Sequence, residues 1–190
     1  MHPHGRVAGH PMQAAGHAVL MMTFSEVQPR WSVPVPMFVD TSPPDQCIFC
    51  RLVAGEIPAA KVHEDALTIA FMDIGQVNPG HVLVATKRHA ATLLDITPEE
   101  ACAVARTAQR VARAIQAAFD PPGLTLLQAN GREGDQTVFH FHLHVVPRHA
   151  QDGVAHGWPR KDPAPEVLRG YADRLSESLQ TMDGAATVAG

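Results

Sequence analysis

The stretch HFHLHVVPR, from His140 to Arg148, alternates polar and apolar residues along its first half. In a β-strand successive side chains point to opposite faces of the sheet. Its apolar members therefore form one face, and the histidines share the other: His140, His142 and His144. The pattern predicts a half-buried strand with an imidazole-lined face.

The three imidazoles of this row allow more than one kind of chemistry. Neighbouring histidines lie roughly 6.6 Å apart at a strand rise of about 3.3 Å per residue, so two of them could share a metal ion but three in line could not do so easily. A neutral imidazole is also a competent nucleophile toward phosphorus near neutral pH. The row alone is compatible with three interpretations. Two histidines could bind a metal ion while the third takes no part, the face could be polar and solvated, or a histidine could act as a nucleophile toward a phosphate.

The composition limits the class of protein. The chain has 190 residues, is 45 % hydrophobic and carries a formal net charge of −4, which suits one globular domain and offers no broad basic surface for nucleic acid. No apolar run reaches the roughly 18 residues that a membrane-spanning helix needs. A cytoplasmic location is the expectation, with neither nucleic acid nor membrane as a partner.

The sequence divides into three parts. Residues 1–46 are rich in Pro, Gly and His without helical or strand periodicity and are predicted to be a disordered extension, with a translation start that is itself open to question. Residues 47–150 carry the periodic segments of one domain. Residues 151–190 are predicted to form a C-terminal segment with a helix beginning near Pro165 and a flexible tail.

The periodic segments predict an α+β fold. Short strands, three of them arranged as an antiparallel meander, are predicted at 61–65, 67–73, 81–87, 124–129 and 138–146. Between the third and fourth, TPEE places Thr97 as N-cap, Pro98 at the first helical position and Glu100 at the third, the signature of a capping box. One long helix should therefore pack an apolar stripe on the sheet.

Several ordered blocks identify a resemblance to a known family. HFHLHVV fits the pattern His-φ-His-φ-His-φ-φ, where φ is apolar, of the histidine triad family of nucleotidyl hydrolases and transferases. The resemblance continues through CIFCRLVAGEIPAAKV, FMDIGQVNPGHVLVATKRH, LLDITPEE and DQTVFHFHLHVVPR, over roughly residues 47–148. It implies a strongly bent antiparallel sheet, a homodimer that pairs along the sheet and an adenine nucleotide substrate.

The resemblance also implies catalytic roles. His142, the middle histidine, is the implied nucleophile toward the α-phosphate, and a covalent nucleotidyl-imidazole would then be hydrolysed by water. His144 is implied to contact the phosphate oxygens. Thr137 matches a position that places a hydroxyl near the leaving group, although an ordinary strand threonine is the alternative.

A further set of residues is implied to contact the nucleotide: Asp73, Ile74, Phe49, Phe71, Asn130, Gln136 and His81. Asp73 matches the acid that binds the ribose, which suits a carboxylate because it can accept from both hydroxyl groups. Ile74 and the two phenylalanines match positions that enclose the base, and the phenylalanines could equally be plain core. His81 matches a histidine that supports the active site.

Two cysteines raise a separate question. A lone CxxC motif, here Cys47 and Cys50, is ambiguous between a redox pair and half a zinc site. By resemblance, His89 and His140 complete a closed tetrahedral site for structural zinc, so that no catalytic metal is required. Cys102, within the long helix, is expected to be a small buried residue.

Two residues depart from the family pattern. Asp135 stands where the family usually has Gly before the Gln, and it brings a carboxylate toward the expected phosphate. Ala129 stands where an amide is usual, and Asn130 or Gln128 could replace it. The loop contacts to substrate are therefore open.

The favoured function is hydrolysis or transfer of a nucleoside monophosphate through His142. Candidate substrates are nucleoside phosphoramidates, aminoacyl adenylates and dinucleoside polyphosphates. Two alternatives remain: a zinc-stabilised nucleotide-binding module with little catalysis, and a metallohydrolase that uses the histidine row directly.

Overall fold

The computed structural model describes residues 39–154 and 161–188, with the side chains of residues 183–188 excepted. Within this part the elements follow the order helix α1 (Ile48–Val53), strands β1 (Lys61–Glu64), β2 (Thr68–Met72) and β3 (Val82–Thr86), helix α2 (Pro98–Phe119), strands β4 (Gly123–Leu127) and β5 (His142–Arg148), and helix α3 (Pro165–Val188). The predicted α+β class is confirmed. The short helix α1 was not predicted from the sequence.

The five strands form one antiparallel sheet in the order β1-β2-β3-β5-β4. The predicted meander is β1 to β3, and β5 enters between β3 and β4, which places its histidines in the interior of the sheet. β5 begins at His142, later than the predicted strand, because the chain bends before it and the Phe141 N–H donates to the Ala90 carbonyl at 2.6 Å. His140 therefore lies outside the strand.

The two faces of the sheet have different coverings. On one face, α2 packs its apolar stripe onto alternate strand residues that include Val84 and Val145. On the other face, α1 contributes Phe49 to a second apolar cluster with Ile69 and Leu83. Residues paired across antiparallel strands share a face. Because Leu83 pairs with His144, the histidines lie on the α1 face.

The capping box predicted for α2 is present. The Thr97 hydroxyl accepts from the Glu100 N–H at 3.2 Å, and the Glu100 carboxylate accepts from the Thr97 N–H at 2.8 Å. The expectation for Cys102 was wrong, because this residue is exposed. It lies two positions before the buried Val104, about 200° from that residue around the helix axis.

The turn between β2 and β3 requires its glycine. Gly80 has a φ of 96°, and a Cβ built on it would lie 2.9 Å from the ring of Phe119 at the end of α2. A side chain here would meet both backbone strain and the aromatic ring. This close approach packs the turn against the end of α2 and so fixes the position at which β3 begins.

The described chain after β5 is joined to the sheet by Arg148 and Asp152. The Arg148 guanidinium donates to the Asp152 carboxylate from Nε at 2.7 Å and from Nη2 at 3.0 Å. The α3 helix begins at Pro165, where the sequence predicts it, and its apolar side chains are exposed. None of the helices in the described ranges is long and apolar enough to cross a membrane.

The predicted N-terminal extension falls largely on residues 1–38, which lie outside the described residues. From Asp40 onward the chain packs on the domain. The Asp40 N–H donates to the Thr137 carbonyl at 2.7 Å, and the residue forms a bridge with Val138. The proposed domain boundaries at 47 and 150 stay a prediction.

Candidate active site and metal centre

His142 lies on β5 with its two ring nitrogens in different surroundings. Its Nδ1 atom is 2.7 Å from the carbonyl oxygen of His140. A carbonyl only accepts, so Nδ1 carries the proton and Nε2 keeps its lone pair. The edge of Phe49 packs against the ring at a centroid distance of 5.2 Å, and His142 is only 5 % exposed. The ring is thus oriented as a neutral base or nucleophile.

His144 is two residues further along β5, on the same face. The centroids of the His142 and His144 rings are 5.1 Å apart, so both can reach one small group in front of the sheet. His144 Nδ1 lies 2.9 Å from Nε2 of His81. His81 Nδ1 makes no hydrogen bond within bonding distance among the described residues, so we assign the shared proton to His81 Nε2. With Nδ1 accepting, His144 carries its own proton on Nε2 and can donate it to an anion.

Asp73 completes this group at the end of β2. Its Oδ1 accepts from the Gly75 N–H at 2.8 Å, and its Oδ2 lies 3.4 Å from His81 Nε2 and 3.7 Å from His144 Nδ1. One carboxylate oxygen is therefore held by the backbone while the other faces the two imidazoles. The acid and both histidines that the sequence singled out are brought together.

Burial keeps these imidazoles neutral. It lowers the pKa of His142 against the opposing hydrogen bond to His140 and the charge of Asp73. It lowers the pKa of His144 to about 3, helped by the neighbouring His142 and His81, and it lowers the pKa of His81 against the attraction of Asp73. Near pH 7 the site therefore presents lone pairs and N–H donors rather than imidazolium cations.

A second cluster joins α1, the segment after β3 and the bend before β5. The Sγ atoms of Cys47 and Cys50 lie 3.6 and 3.5 Å from His140 Nδ1, and Cys50 Sγ lies 3.2 Å from His89 Nδ1. The CxxC spacing on the first turn of α1 directs both sulfurs to one side. All four residues predicted as metal ligands therefore converge.

The donor set and its spacing fit tetrahedral zinc. Ligands at about 2.3 Å for sulfur and about 2.0–2.1 Å for nitrogen lie about 3.5 Å from one another around the ion. The His140 Nε2 proton is donated to the Thr86 carbonyl at 2.8 Å, which leaves Nδ1 free to bind, and burial lowers the pKa of His140 to about 4. Burial and the adjacent Cys47 raise the pKa of Cys50 to about 12, so a cation is what would allow both thiolates to form here.

The residues expected around the base differ in exposure. Phe49 and Phe71 are 8 % and 4 % exposed and pack edge to face at 5.2 Å, so both are core residues at the rim of the site. Ile74, directly after Asp73, is fully exposed. Of these three side chains, only that of Ile74 is open to a ligand without rearrangement.

The loop before β5 is tied together by its amides. Gln136 is buried, its Oε1 accepts from the Gly131 N–H, and its Nε2 donates to the Ala91 and Val138 carbonyls. Asn130 accepts from the Leu93 N–H at 2.7 Å. Both residues predicted to contact nucleotide therefore already hold protein groups.

Two other residues of this loop are less engaged. Thr137 is half-buried, and within the described residues its hydroxyl makes no hydrogen bond, so it is available to a ligand. Asp135 is exposed with a φ of 62°, the left-handed region that glycine adopts without strain and aspartate tolerates. This conformation is a physical reason for glycine to be the usual residue at the position.

Three supporting residues were missed by sequence reasoning. Asp40 accepts from the Ile48 N–H at 3.0 Å and so caps α1, next to the cysteines. Gln76 accepts from the His81 N–H at 3.1 Å and donates to the His81 carbonyl at 2.7 Å. Asp152 joins Asn78 of the same turn to Arg148. Nothing in the local pattern marks them, since each acts on a residue distant in sequence or in a turn.

Comparison with known proteins gives concordant matches. Residues 54–151 match the family model described as HIT domain. The chain is 35% identical to adenosine 5'-monophosphoramidase hnt1 of Schizosaccharomyces pombe, over 70% of this chain and 98% of that protein. It is similar to a crystal structure of a HIT family protein from Bacillus anthracis, with 40% identity, a TM-score of 0.68, and 70% of this chain and 97% of the other covered.

A further similar structure is that of a zinc-bound protein. A zinc-bound histidine triad family protein from Mycobacterium smegmatis is 35% identical to this chain, with a TM-score of 0.56, and the match covers 72% of this chain and 99% of the other. The family-model match, over residues 54–151, includes the histidine row and begins directly after the cysteine-containing helix α1.

Proposed function

Because this chain belongs to the HIT domain family, we propose that it is a hydrolase or transferase acting at the α-phosphate of an adenosine-type nucleotide through a covalent nucleotidyl-His142. The observation that carries the proposal is the bond from His142 Nδ1 to the His140 carbonyl, which places the proton on Nδ1 and leaves the lone pair on Nε2. The name of the fungal relative, an adenosine 5'-monophosphoramidase, supports a phosphoramidate as the first substrate to test.

The first step is an in-line displacement at phosphorus. The Nε2 lone pair of His142 forms a bond to the α-phosphorus, and the bond from phosphorus to the leaving amine breaks with its electron pair going to that amine, which takes up a proton from solvent. His144 donates its Nε2 proton as a hydrogen bond to a phosphate oxygen while charge develops there. The Thr137 hydroxyl is available near the leaving group.

The second step restores the enzyme. A water oxygen bonds to phosphorus and releases a proton to solvent, the phosphorus–Nε2 bond breaks, and the electron pair returns to His142 as the nucleoside monophosphate leaves. Two displacements replace one difficult attack by water. Because the His142 ring is neutral before and after the cycle, the enzyme is ready for the next substrate without a change of protonation at Nδ1.

Asp73 and Ile74 are proposed to position the nucleoside. The carboxylate of Asp73 can accept from the ribose hydroxyl groups, and the exposed Ile74 side chain offers an apolar surface to the base. Asn130 and Gln136 are proposed to act through the loop that they hold, since their amides are engaged with backbone groups. Phosphoramidates, aminoacyl adenylates and dinucleoside polyphosphates differ in the leaving group on the α-phosphate. The part of the site that faces the leaving group therefore determines which of these substrates is used.

We propose that Cys47, Cys50, His89 and His140 hold structural zinc, which supplies positive charge that keeps two thiolates ionised. Four protein ligands leave no position for substrate. The cluster connects α1 to the bend before β5, so it fixes His140, whose carbonyl orients His142. No step of the reaction passes through this ion.

A homodimer pairing along the sheet is also proposed. β4 is an edge strand, and its Leu126 and Leu127 are 53 % and 51 % exposed. An exposed apolar edge strand is a template for pairing with another copy. Light scattering of the wild type and of Leu127→Lys tests this: a dimer that becomes a monomer in the variant supports pairing at β4, and a monomeric wild type contradicts it.

The second candidate function is a zinc-stabilised nucleotide-binding module with little catalysis. It is favoured by Asp135, whose carboxylate lies in the loop leading to the histidines, and by the engaged amide of Gln136. Such a protein would bind adenosine monophosphate without forming a bond to it.

Trapping of the intermediate separates these functions. The protein is incubated with adenosine 5'-phosphoramidate and quenched with denaturant at alkaline pH, where phosphorus–imidazole bonds survive, and the peptides are analysed by mass spectrometry. We expect an adenylate adduct on His142 in the wild type and in the control His149→Ala, and none in His142→Gln. Binding without an adduct identifies the module, and turnover without an adduct identifies the metallohydrolase.

A further inference from the structure

Three ligand atoms of the active-site face lie close enough together to bind a metal ion of their own: Asp73 Oδ2, His81 Nε2 and His144 Nδ1. The separations are 2.9 Å between the two nitrogens, 3.4 Å from His81 to Asp73 and 3.7 Å from His144 to Asp73. Asp73 directly follows β2, His81 directly precedes β3 and His144 lies within β5, and these three strands are consecutive in the sheet. The group is therefore held by a rigid part of the fold.

These separations match the ligand spacing around zinc. Three ligands of a tetrahedral ion at about 2.0–2.1 Å lie about 3.3 Å from one another. The three measured values bracket this distance, and a point equidistant from the three atoms lies about 2 Å from each. Two imidazoles and one carboxylate form a donor set that suits zinc and similar transition-metal ions.

We propose that Asp73, His81 and His144 bind a second, exchangeable divalent ion of the zinc class. Unlike the Cys/His cluster, this set provides only three protein ligands, so the fourth position stays open to water or an anion. The Asp73 Oδ1 bond to the Gly75 N–H already directs Oδ2 toward the ion position. The three atoms already lie at the spacing that one ion requires.

Binding needs one proton to move within His81. In the metal-free protein the Nε2 proton lies between His81 and His144, and the ion takes its place while the proton transfers to Nδ1. No net proton is released by this tautomer change. Among the described residues Nδ1 makes no hydrogen bond within bonding distance, and a buried N–H without a close partner is destabilising. The ion is therefore held less tightly than zinc in the four-ligand cluster and is exchangeable.

The consequence for activity rests on the proposed function. An ion on Asp73 removes the carboxylate that is proposed to bind ribose, and an ion on His144 Nδ1 fixes the ring that is proposed to contact phosphate. The ion and the nucleotide then compete for the same two residues. Zinc added beyond the resident ion is an inhibitor that excludes the nucleotide, rather than a cofactor.

Calorimetric titration tests the site without reference to activity. Full-length protein as purified is titrated with zinc chloride, and we expect one additional ion per chain. Asp73→Asn keeps the Oδ1 acceptor for Gly75 and removes the ligand charge, and His81→Gln removes one nitrogen. Both should weaken this ion at least ten-fold, while resident zinc content and the affinity of the control His149→Ala stay unchanged. A wild type that binds no additional ion, or variants that bind it with unchanged affinity, would overturn the site.

Cobalt(II) provides a spectroscopic check. Added to zinc-loaded protein, cobalt at the proposed site has nitrogen and oxygen ligands, so visible bands should appear without the near-ultraviolet band of cobalt–thiolate bonds. A thiolate band instead would place the added ion at Cys47 and Cys50 and contradict the site.

Competition distinguishes this inference from the proposed function. Adenosine monophosphate should raise the apparent Kd for the added zinc, and added zinc should lower turnover. Zinc binding that is lost in Asp73→Asn supports the site even if no adduct forms on His142, so the two proposals fail separately. Unchanged zinc affinity in the presence of the nucleotide, or turnover that rises with added zinc, would overturn the inhibitory role.

Discussion

The Nδ1 atom of His142 lies 2.7 Å from the carbonyl oxygen of His140, so that one histidine of the row orients the next. The same His140 directs its own Nδ1 toward Cys47 and Cys50. The backbone of His140 thus belongs to the proposed catalytic site, and its side chain belongs to the proposed metal centre. This division underlies the predictions for both sites.

Replacing His142 by Asn should abolish turnover, because the nucleophilic nitrogen is lost while much of the side-chain volume is kept. We expect a loss of at least a thousand-fold in kcat/KM, which corresponds to about 4 kcal/mol in the barrier. The measurement is steady-state hydrolysis of adenosine 5'-phosphoramidate, with circular dichroism to establish that the fold is retained. A variant that keeps more than a tenth of the wild-type rate, a change of only about 1.4 kcal/mol, would contradict the nucleophile assignment.

Removing a zinc ligand should lower the thermal stability of the protein more than it lowers the rate of turnover. We expect about one zinc per chain in the purified protein, and loss of this zinc together with a lower Tm in Cys50→Ser, because binding to the native state stabilises it by linkage. The matched control is Cys102→Ser, whose exposed side chain is outside the cluster. Metal analysis and thermal unfolding measure both effects.

A mild chelator adds a test of the division of labour. Because the four-ligand zinc supplies no Lewis acid to substrate, chelation that leaves the native circular dichroism spectrum should barely change the rate. If activity stops in protein that is still folded and returns with added metal, His140 and His142 do not divide the roles as proposed.

Asp135 should weaken nucleotide binding if its charge faces the phosphate. At low salt, Asp135→Asn, which removes the charge and tolerates the left-handed conformation, should tighten adenosine monophosphate binding by about two- to five-fold, and the gain should shrink as salt screens the exposed pair. Asp135→Gly serves as the comparison, since it also relieves the φ of 62°. If only Asp135→Gly tightens binding, the effect comes from the backbone conformation. If neither variant changes the affinity, the carboxylate points away from the phosphate.

Arg88 and Glu100 should make stability depend on acid pH. The guanidinium donates to the carboxylate at 2.8 and 2.6 Å, and these bonds from Arg88 lower the pKa of the buried Glu100. A lowered folded-state pKa gives stability that is present above the unfolded pKa, near 4.3, and is lost as pH falls through the folded value. Arg88→Met should therefore lower the free energy of unfolding at pH 7, because the buried Glu100 carboxylate loses its guanidinium donors.

The pH profile checks the sign. The difference between wild type and Arg88→Met in urea unfolding should shrink as pH falls from about 5 to about 3, where the unfolded carboxyl is protonated. Glu100→Gln is the control, because its side chain cannot titrate. The effect of Arg88→Met on the free energy of unfolding, measured in a Glu100→Gln background, should change less with pH over the same range. A difference that grows toward low pH would show that another group dominates.

The local features of this protein follow from its sequence because the residues that make them are close in the chain. Thr97 and Glu100 cap α2 within one turn, and strand alternation separates the histidine face from the core. The resemblance to the histidine triad family adds a predicted metal-ligand set and predicted nucleotide positions, which no local pattern contains. The six-residue helix α1 was missed, since so short a helix has little periodicity to detect.

The tertiary structure decided how distant residues meet and which nitrogen of each imidazole faces which partner. Strand alternation alone assigned His140 to the same row as His142. The bend before β5 instead removes His140 from the strand and turns its ring toward Cys47, 93 positions away. The approach of Asp73 to His81 and His144 depends on β2, β3 and β5 being adjacent in the sheet. Such contacts depend on chain topology and packing, which act between segments, whereas a sequence pattern reports only the periodicity within one segment.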